Sequence, residues 1–154
     1  MKYLAILFLS VFLFSCSQKK EDIFQLQNQE GNQIDILNQT NSATITKAFG
    51  KPLSIEKEPE PEAEGLPTST IITYRGLKLE LTGNSIDEIT IKNNDWHIGD
   101  ITIGTDARFI EENYKFLKKK GDYLLYLIPD FDGVLFIKLD SENKIAEYGL
   151  SNPS

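Results

Sequence analysis

The chain has 154 residues, with 16 Lys and Arg against 23 Asp and Glu, a net charge of −7. That balance excludes a nucleic-acid binder, which needs a basic face, and speaks against electrostatic docking on anionic lipid. Cys16 is the one cysteine, so no internal disulfide forms and the core alone must supply stability. At the start, Lys2 precedes an apolar run from Tyr3 to Phe14 that turns polar in "SCSQKKED". A membrane-crossing helix needs about 20 apolar residues, whereas the core of a secretion signal needs about 7–15. The run reads as a secretion signal.

Leu13-Phe14-Ser15-Cys16 resembles the bacterial lipobox. The resemblance implies cleavage before Cys16, a thioether-linked diacylglycerol on its sulfur and an acyl group on its amine. Each buried acyl methylene contributes about 0.8 kcal/mol, so several chains hold a protein where one would not. Cleavage there removes residues 1–15 with Lys2 as their one charge, leaving 139 residues and a net charge of −8. That length suits one domain with a real core. Ser17 follows the cysteine, with no Asp resembling an inner-membrane retention signal, and Lys19-Lys20 precede Glu21-Asp22. The expectation is a lipid-anchored protein of the outer membrane, on its periplasmic face rather than the cell surface.

Residues 17–33 are polar and read as a tether, with a weak strand signal at Ile23, Phe24 and Leu26. "QIDIL" (33–37) alternates like a short strand. In "TNSATITKAFGKP", Asn41 or Ser42 caps a helix whose Ile45, Ala48 and Phe49 share a face, and Gly50 with Pro52 stops it. After "LSIEK" comes "KEPEPEAEGLP" (57–67), an exposed acidic loop. Strands follow at 69–76, 77–83 and 85–93, with Gly83-Asn84 as the hairpin turn. A further apolar segment, "WHIGDITIG" (96–104), leads to "TDARFIEENYKFLKKKG". There Thr105 or Asp106 caps a predicted helix with Phe109, Ile110, Tyr114 and Leu117 at helical spacing. Lys118, Lys119 and Lys120 fall in its last turn and Gly121 ends it. Three strands at 122–129, 133–140 and 144–151 close the chain. Candidate core positions are Leu79, Leu81, Ile89, Ile91, Phe109, Tyr114, Leu127 and Ile137.

The chain repeats itself. "LKLELTGNSIDEITI" (77–91) matches "LFIKLDSENKIAEYGL" (135–150), so that Asn84, Ile86, Glu88, Ile89 and Ile91 fall on Asn143, Ile145, Glu147, Tyr148 and Leu150. Each copy follows a capped helix and a strand. A hairpin explains the pattern: Asn tolerates positive φ in the turn, and the apolar positions face one core. The fold expected is α+β, two tandem helix-plus-antiparallel-meander units after a signal peptide and tether. The boundaries are 1–15 for the signal peptide, 16–33 for the lipidated cysteine and tether, and 34–154 for a single domain with units of about 34–95 and 96–154. This organisation looks like the tandem fold of the secreted β-lactamase inhibitor proteins and, more loosely, like small outer-membrane assembly lipoproteins of the SmpA/OmlA kind. The segment "ITIGTDARFIEENY" (101–114) is similar to their entry of strand, glycine and capped helix. The resemblance carries over no functional residues.

No catalytic constellation stands out. His97 is the single histidine, beside Trp96 on a strand, where packing is commoner than base catalysis. No Gly-rich phosphate loop and no His/Cys metal spacing occurs. Asp130-x-Asp132-Gly133 starts like a calcium loop but lacks its later ligands and reads as a turn. No cofactor, metal or catalytic residue is implied, and Cys16 is the one assigned site. The function expected is a non-catalytic envelope lipoprotein acting through protein–protein contact, its partner unknown. The alternative is a periplasmic immunity or inhibitor protein neutralising a toxin or enzyme. Ranked last is a hydrolase or ligand-binding lipoprotein acting on glycans or lipids, which would need a concave pocket with convergent polar groups.

Overall fold

In the computed structural model, residues 23–58 and 67–152 are described. Cys16, the signal segment and most of the acidic loop lie outside that range. The first hairpin joins β1 (Gln25–Asn28) to β2 (Gln33–Asp35). β1 also pairs with β7 (Trp96–Ile98), giving a three-stranded sheet in the order β2-β1-β7. The stretch expected as tether up to residue 33 therefore contains a strand, and Leu26 on it is 0% exposed. One fully buried leucine holds it: about 1.5–3 kcal/mol of burial outweighs the polar residues around it.

Helix α1 (Ser42–Phe49) starts as expected, with the Asn41 side chain accepting from the Thr44 amide at 3.0 Å. That bond satisfies one of the donors a helix start leaves open. Gly50, at φ 81°, ends the helix. Then come β3 (Ser54–Lys57), β4 (Ser69–Tyr74), β5 (Leu77–Thr82) and β6 (Ser85–Ile91). After β7, α2 (Ala107–Asn113) precedes β8 (Lys115–Lys120), β9 (Tyr123–Leu127), β10 (Val134–Leu139) and β11 (Ile145–Ser151). These strands form an eight-stranded antiparallel sheet in the order β3-β4-β5-β6-β11-β10-β9-β8. Among the described residues the fold is α+β, with two helices and antiparallel sheets.

The two similar hairpins share a defect as well as a pattern. In β5–β6 the register runs Glu80↔Glu88 and then Leu81↔Ile86, leaving Asp87 as a bulge. In β10–β11 it runs Lys138↔Glu147 and then Leu139↔Ile145, leaving Ala146 at the matching place. β6 and β11 meet at the middle of the sheet, where the matched residues Thr90 and Gly149 stand opposite each other. Alternation puts Leu77, Leu79, Leu81, Ile89 and Ile91 on the same side as Leu135, Ile137, Tyr148 and Leu150, all buried. There they join Ile45 and Ile110 of the helices and Leu26, Trp96 and Ile98 of the small sheet in one core.

Four expectations are corrected. The second helix stops at Asn113: Tyr114 is extended, at φ −130° and ψ 145°, and Lys118, Lys119 and Lys120 lie on edge strand β8 rather than in a last helical turn. The spacing of Phe109, Ile110, Tyr114 and Leu117 suits a helix, but pairing with β9 through the Gly121 turn takes the second half of the segment. Each meander thus has four strands where three were expected. Leu127 is 36% exposed, because neighbouring Tyr126 occupies the inward position of β9. In the first hairpin Gly83, at φ 60°, takes the left-handed turn position, whereas in the second Asn143 does so at φ 62°. Of the other candidate core residues, Leu79, Leu81, Ile89, Ile91 and Ile137 are buried, and Phe109 and Tyr114 pack partly buried against the core.

Candidate interaction face of the large sheet

The strand alternation that fills the core fixes what the opposite face presents. On that face β9 places Tyr123, Leu125 and Leu127, and β10 places Val134 and Phe136. Cross-strand register sets Lys115, Lys118 and Lys120 of β8 opposite Leu127, Leu125 and Tyr123. Toward the middle stand Glu80, Glu88 and Glu147 of β5, β6 and β11. An apolar strip is therefore flanked by lysines on one side and carboxylates on the other.

Between them lies a cleft of about 380 Å³, lined by Glu88, Thr90, Phe136, Glu147 and their neighbours on β8–β11. Phe136 is 9% exposed and forms its floor. The Tyr123 ring meets Phe136 edge-on at 5.7 Å, and the Lys138 ammonium stands 5.8 Å from the Tyr123 ring centre. The Tyr123 hydroxyl donates to Glu147 Oε1 at 2.7 Å, which pushes the phenol up to about 12. Lys92 Nζ approaches Glu147 Oε2 at 3.4 Å, and the Glu147 side chain is 16% exposed. Glu80 is paired with Lys78.

Glu88 is held less well. Its one hydrogen bond among the described residues comes from the Thr90 hydroxyl at 3.4 Å. Burial, then the charges of Glu80 and Glu147, raise its carboxyl above the ordinary glutamate range despite that bond and the Lys78 charge. A half-buried carboxylate facing a cleft with so little compensation favours an incoming cation.

Comparison of the two hairpins separates scaffold from surface. Leu77, Leu79 and Leu81 match Leu135, Ile137 and Leu139, so inward positions keep their apolar type. Outward positions diverge: Lys78 against Phe136, Glu80 against Lys138, Thr90 against Gly149. Glu88 and Glu147 are the outward pair that keeps its identity. That matched pair was the signal in the sequence for this face, but without the register nothing said that both carboxylates bordered one cleft.

The residues singled out from sequence lie elsewhere. Cys16 is outside the described residues. His97 sits on β7 with Nε2 3.1 Å from Gln27 Oε1, on the strand paired with it. Trp96 beside it is buried and donates from Nε1 to the Arg75 carbonyl at 2.9 Å. Asp130, at φ 60°, and Asp132 are in the connection from β9 to β10. Among the described residues no group of three or more His, Cys, Asp or Glu is placed to hold a metal ion. No helix of the described residues is long and apolar enough to cross a membrane.

Neither a protein-family model nor a curated protein matches the chain. Among solved structures, an extracellular protein containing an SCP domain from Bacillus anthracis str. Ames is similar in fold, with a TM-score of 0.52 and 13% identity. The match covers 77% of this chain and 44% of that one, so the chain spans less than half the length of its structural neighbour.

Proposed function

We propose that this chain is a lipid-anchored envelope protein that works by contact with another protein through the open face of its large sheet, without catalysing a reaction. One observation carries the reading: inward positions of the two hairpins agree while outward ones diverge into an apolar strip between opposite charges. Core packing alone explains the agreement, not the divergence. An apolar strip with polar borders, exposed at Leu127 and half-buried at Leu125 and Val134, has the composition of a protein contact surface. The anchor rests on the lipobox resemblance at Cys16, with the periplasmic face of the outer membrane as its site. The neighbour's description as extracellular agrees with a position outside the cytoplasm.

The domain is further read as two tandem helix-plus-meander units. Shared bulges at Asp87 and Ala146 and the meeting of Thr90 with Gly149 support that reading. The acidic middle of the face also favours a second reading, an inhibitor or immunity protein meeting a basic effector surface. A neighbouring toxin gene, with relief of toxicity on co-expression, separates the two.

The test is a pull-down of the lipidated protein from detergent-solubilised envelope, repeated with Leu125→Glu/Leu127→Glu. The partner is lost with the double variant at unchanged thermal stability. A partner retained by that variant, or none recovered by the parent, overturns the reading. Cys16→Ala moves the protein out of the membrane fraction, and membrane retention of the processed variant removes the anchor.

A further inference from the structure

The cleft itself has a more specific chemistry than the face around it. Its floor is the Phe136 ring, and its apolar walls are Val134 and Leu125. On the β6–β11 side stand Glu88 and Glu147, and on the β8 side Lys120. The two carboxylates are not equivalent. Glu147 already has the Tyr123 hydroxyl and Lys92, whereas among the described residues Glu88 accepts one hydrogen bond, from the Thr90 hydroxyl at 3.4 Å, with the Lys78 charge near it. Gly149 lets the Phe136 ring lie over β11 as that floor: a methyl group there would stand 2.5 Å from the ring.

From this arrangement we infer that the cleft receives a basic side chain of a protein partner, arginine in preference to lysine, with its aliphatic stem on Val134 and Phe136 and its charge on Glu88. The inference rests on the reading of the open face as a contact surface and names the chemistry of what it contacts. A purely apolar occupant would leave the Glu88 carboxylate desolvated without a partner, which is costly. An acidic occupant would meet Glu88 and Glu147 directly. A cation gives Glu88 the hydrogen bonds it lacks, and charge-assisted bonds are the stronger kind. Arginine fits better than lysine because its planar guanidinium stacks on an aromatic floor while donating sideways to a carboxylate. Lys120 repels the cation from the β8 side, so the charge settles on the β6 side of the cleft.

The experiment uses the full mature chain made lipid-free by Cys16→Ala, followed by amide-resolved NMR. The probe is the peptide acetyl-Gly-Arg-Gly-amide, with the citrulline peptide as its neutral counterpart. Amides of Glu88, Thr90, Phe136 and Ser151 shift and saturate with the arginine peptide. The citrulline peptide and the Glu88→Gln protein each bind about tenfold more weakly or worse, the loss expected for a charged hydrogen bond. No shift at those amides, equal response to citrulline, or full binding by Glu88→Gln overturns the inference. The envelope pull-down distinguishes the two levels. A partner captured equally by parent and Glu88→Gln overturns the cleft assignment and leaves the contact reading standing. Arginine binding at Glu88 with no partner recovered supports the cleft and overturns the contact reading.

Discussion

At Gly149 a methyl group would fall 1.7 Å from the Ile89 carbonyl oxygen and 2.5 Å from the Phe136 ring. Its counterpart Thr90 stands directly opposite with its side chain in place. The centre of the sheet has room for one side chain and one ring, and the ring of Phe136 takes the second space. Gly149→Ala should therefore cost about 1–3 kcal/mol by overpacking, measured by urea unfolding; a loss near zero would mean that β6 and β11 separate freely. Glu88 makes the opposite prediction. Its carboxyl binds a proton more tightly in the folded chain than in the unfolded one. The group thus favours folding below the ordinary glutamate value of about 4.3, and that contribution is lost as pH rises through its raised folded value. Glu88→Gln should melt above the parent at neutral pH, the gap closing on acidification below about pH 4. A constant gap across that range would remove the titration from the explanation.

At the scale of elements, β8 is the place where local signal and final structure part. Lys118, Lys119 and Lys120 follow a helical face and would suit a helix C-terminus by charge. They instead line an outer edge of the large sheet, with Phe116 53% exposed beside them. Lysines on an edge strand oppose pairing with another chain, because association would bury or juxtapose like charges. The opposite edge, β3, carries Glu56 and Lys57. Replacing Lys118 and Lys119 by valine and threonine should raise the apparent mass with concentration in light scattering. An unchanged mass up to about millimolar protein, the upper end of the range in which exposed edges associate, would assign the lysines another task.

Across the whole molecule the two meanders are joined by the β6–β11 seam and share one core cluster. Tyr148 of β11 ties the large sheet to the small one, its hydroxyl donating to the Ile101 carbonyl and accepting from the Ile98 amide. Burial raises that phenol strongly. With the core shared in this way, neither half keeps its apolar face covered alone. Thermal unfolding should be a single cooperative transition by both fluorescence of Trp96 and far-ultraviolet dichroism. Segments 34–95 and 96–154 made separately should stay unfolded. Two resolved transitions would show that the halves are independent.

By itself the sequence determined the features set by neighbours along the chain. The helix starts at Asn41 or Ser42 and at Thr105 or Asp106, the Gly50 stop and the alternation of Leu77, Leu79 and Leu81 each depend on a few adjacent residues, and the structure has them, with Asn41 and Asp106 as the caps. The match between 77–91 and 135–150 also survives as two hairpins bulged at the same place. What tertiary structure decided was everything that depends on a distant strand. β1 became a strand because β7, some seventy residues away, pairs with it. β8 left the helix because β9 offered a ladder of hydrogen bonds, and Leu127 turned outward because Tyr126 filled the core position. The cleft was legible only as two matched glutamates. Net charge is a sum over the chain, whereas a site is made by position, and only the pairing of β6 with β11 brought Glu88 and Glu147 to the border of one apolar floor.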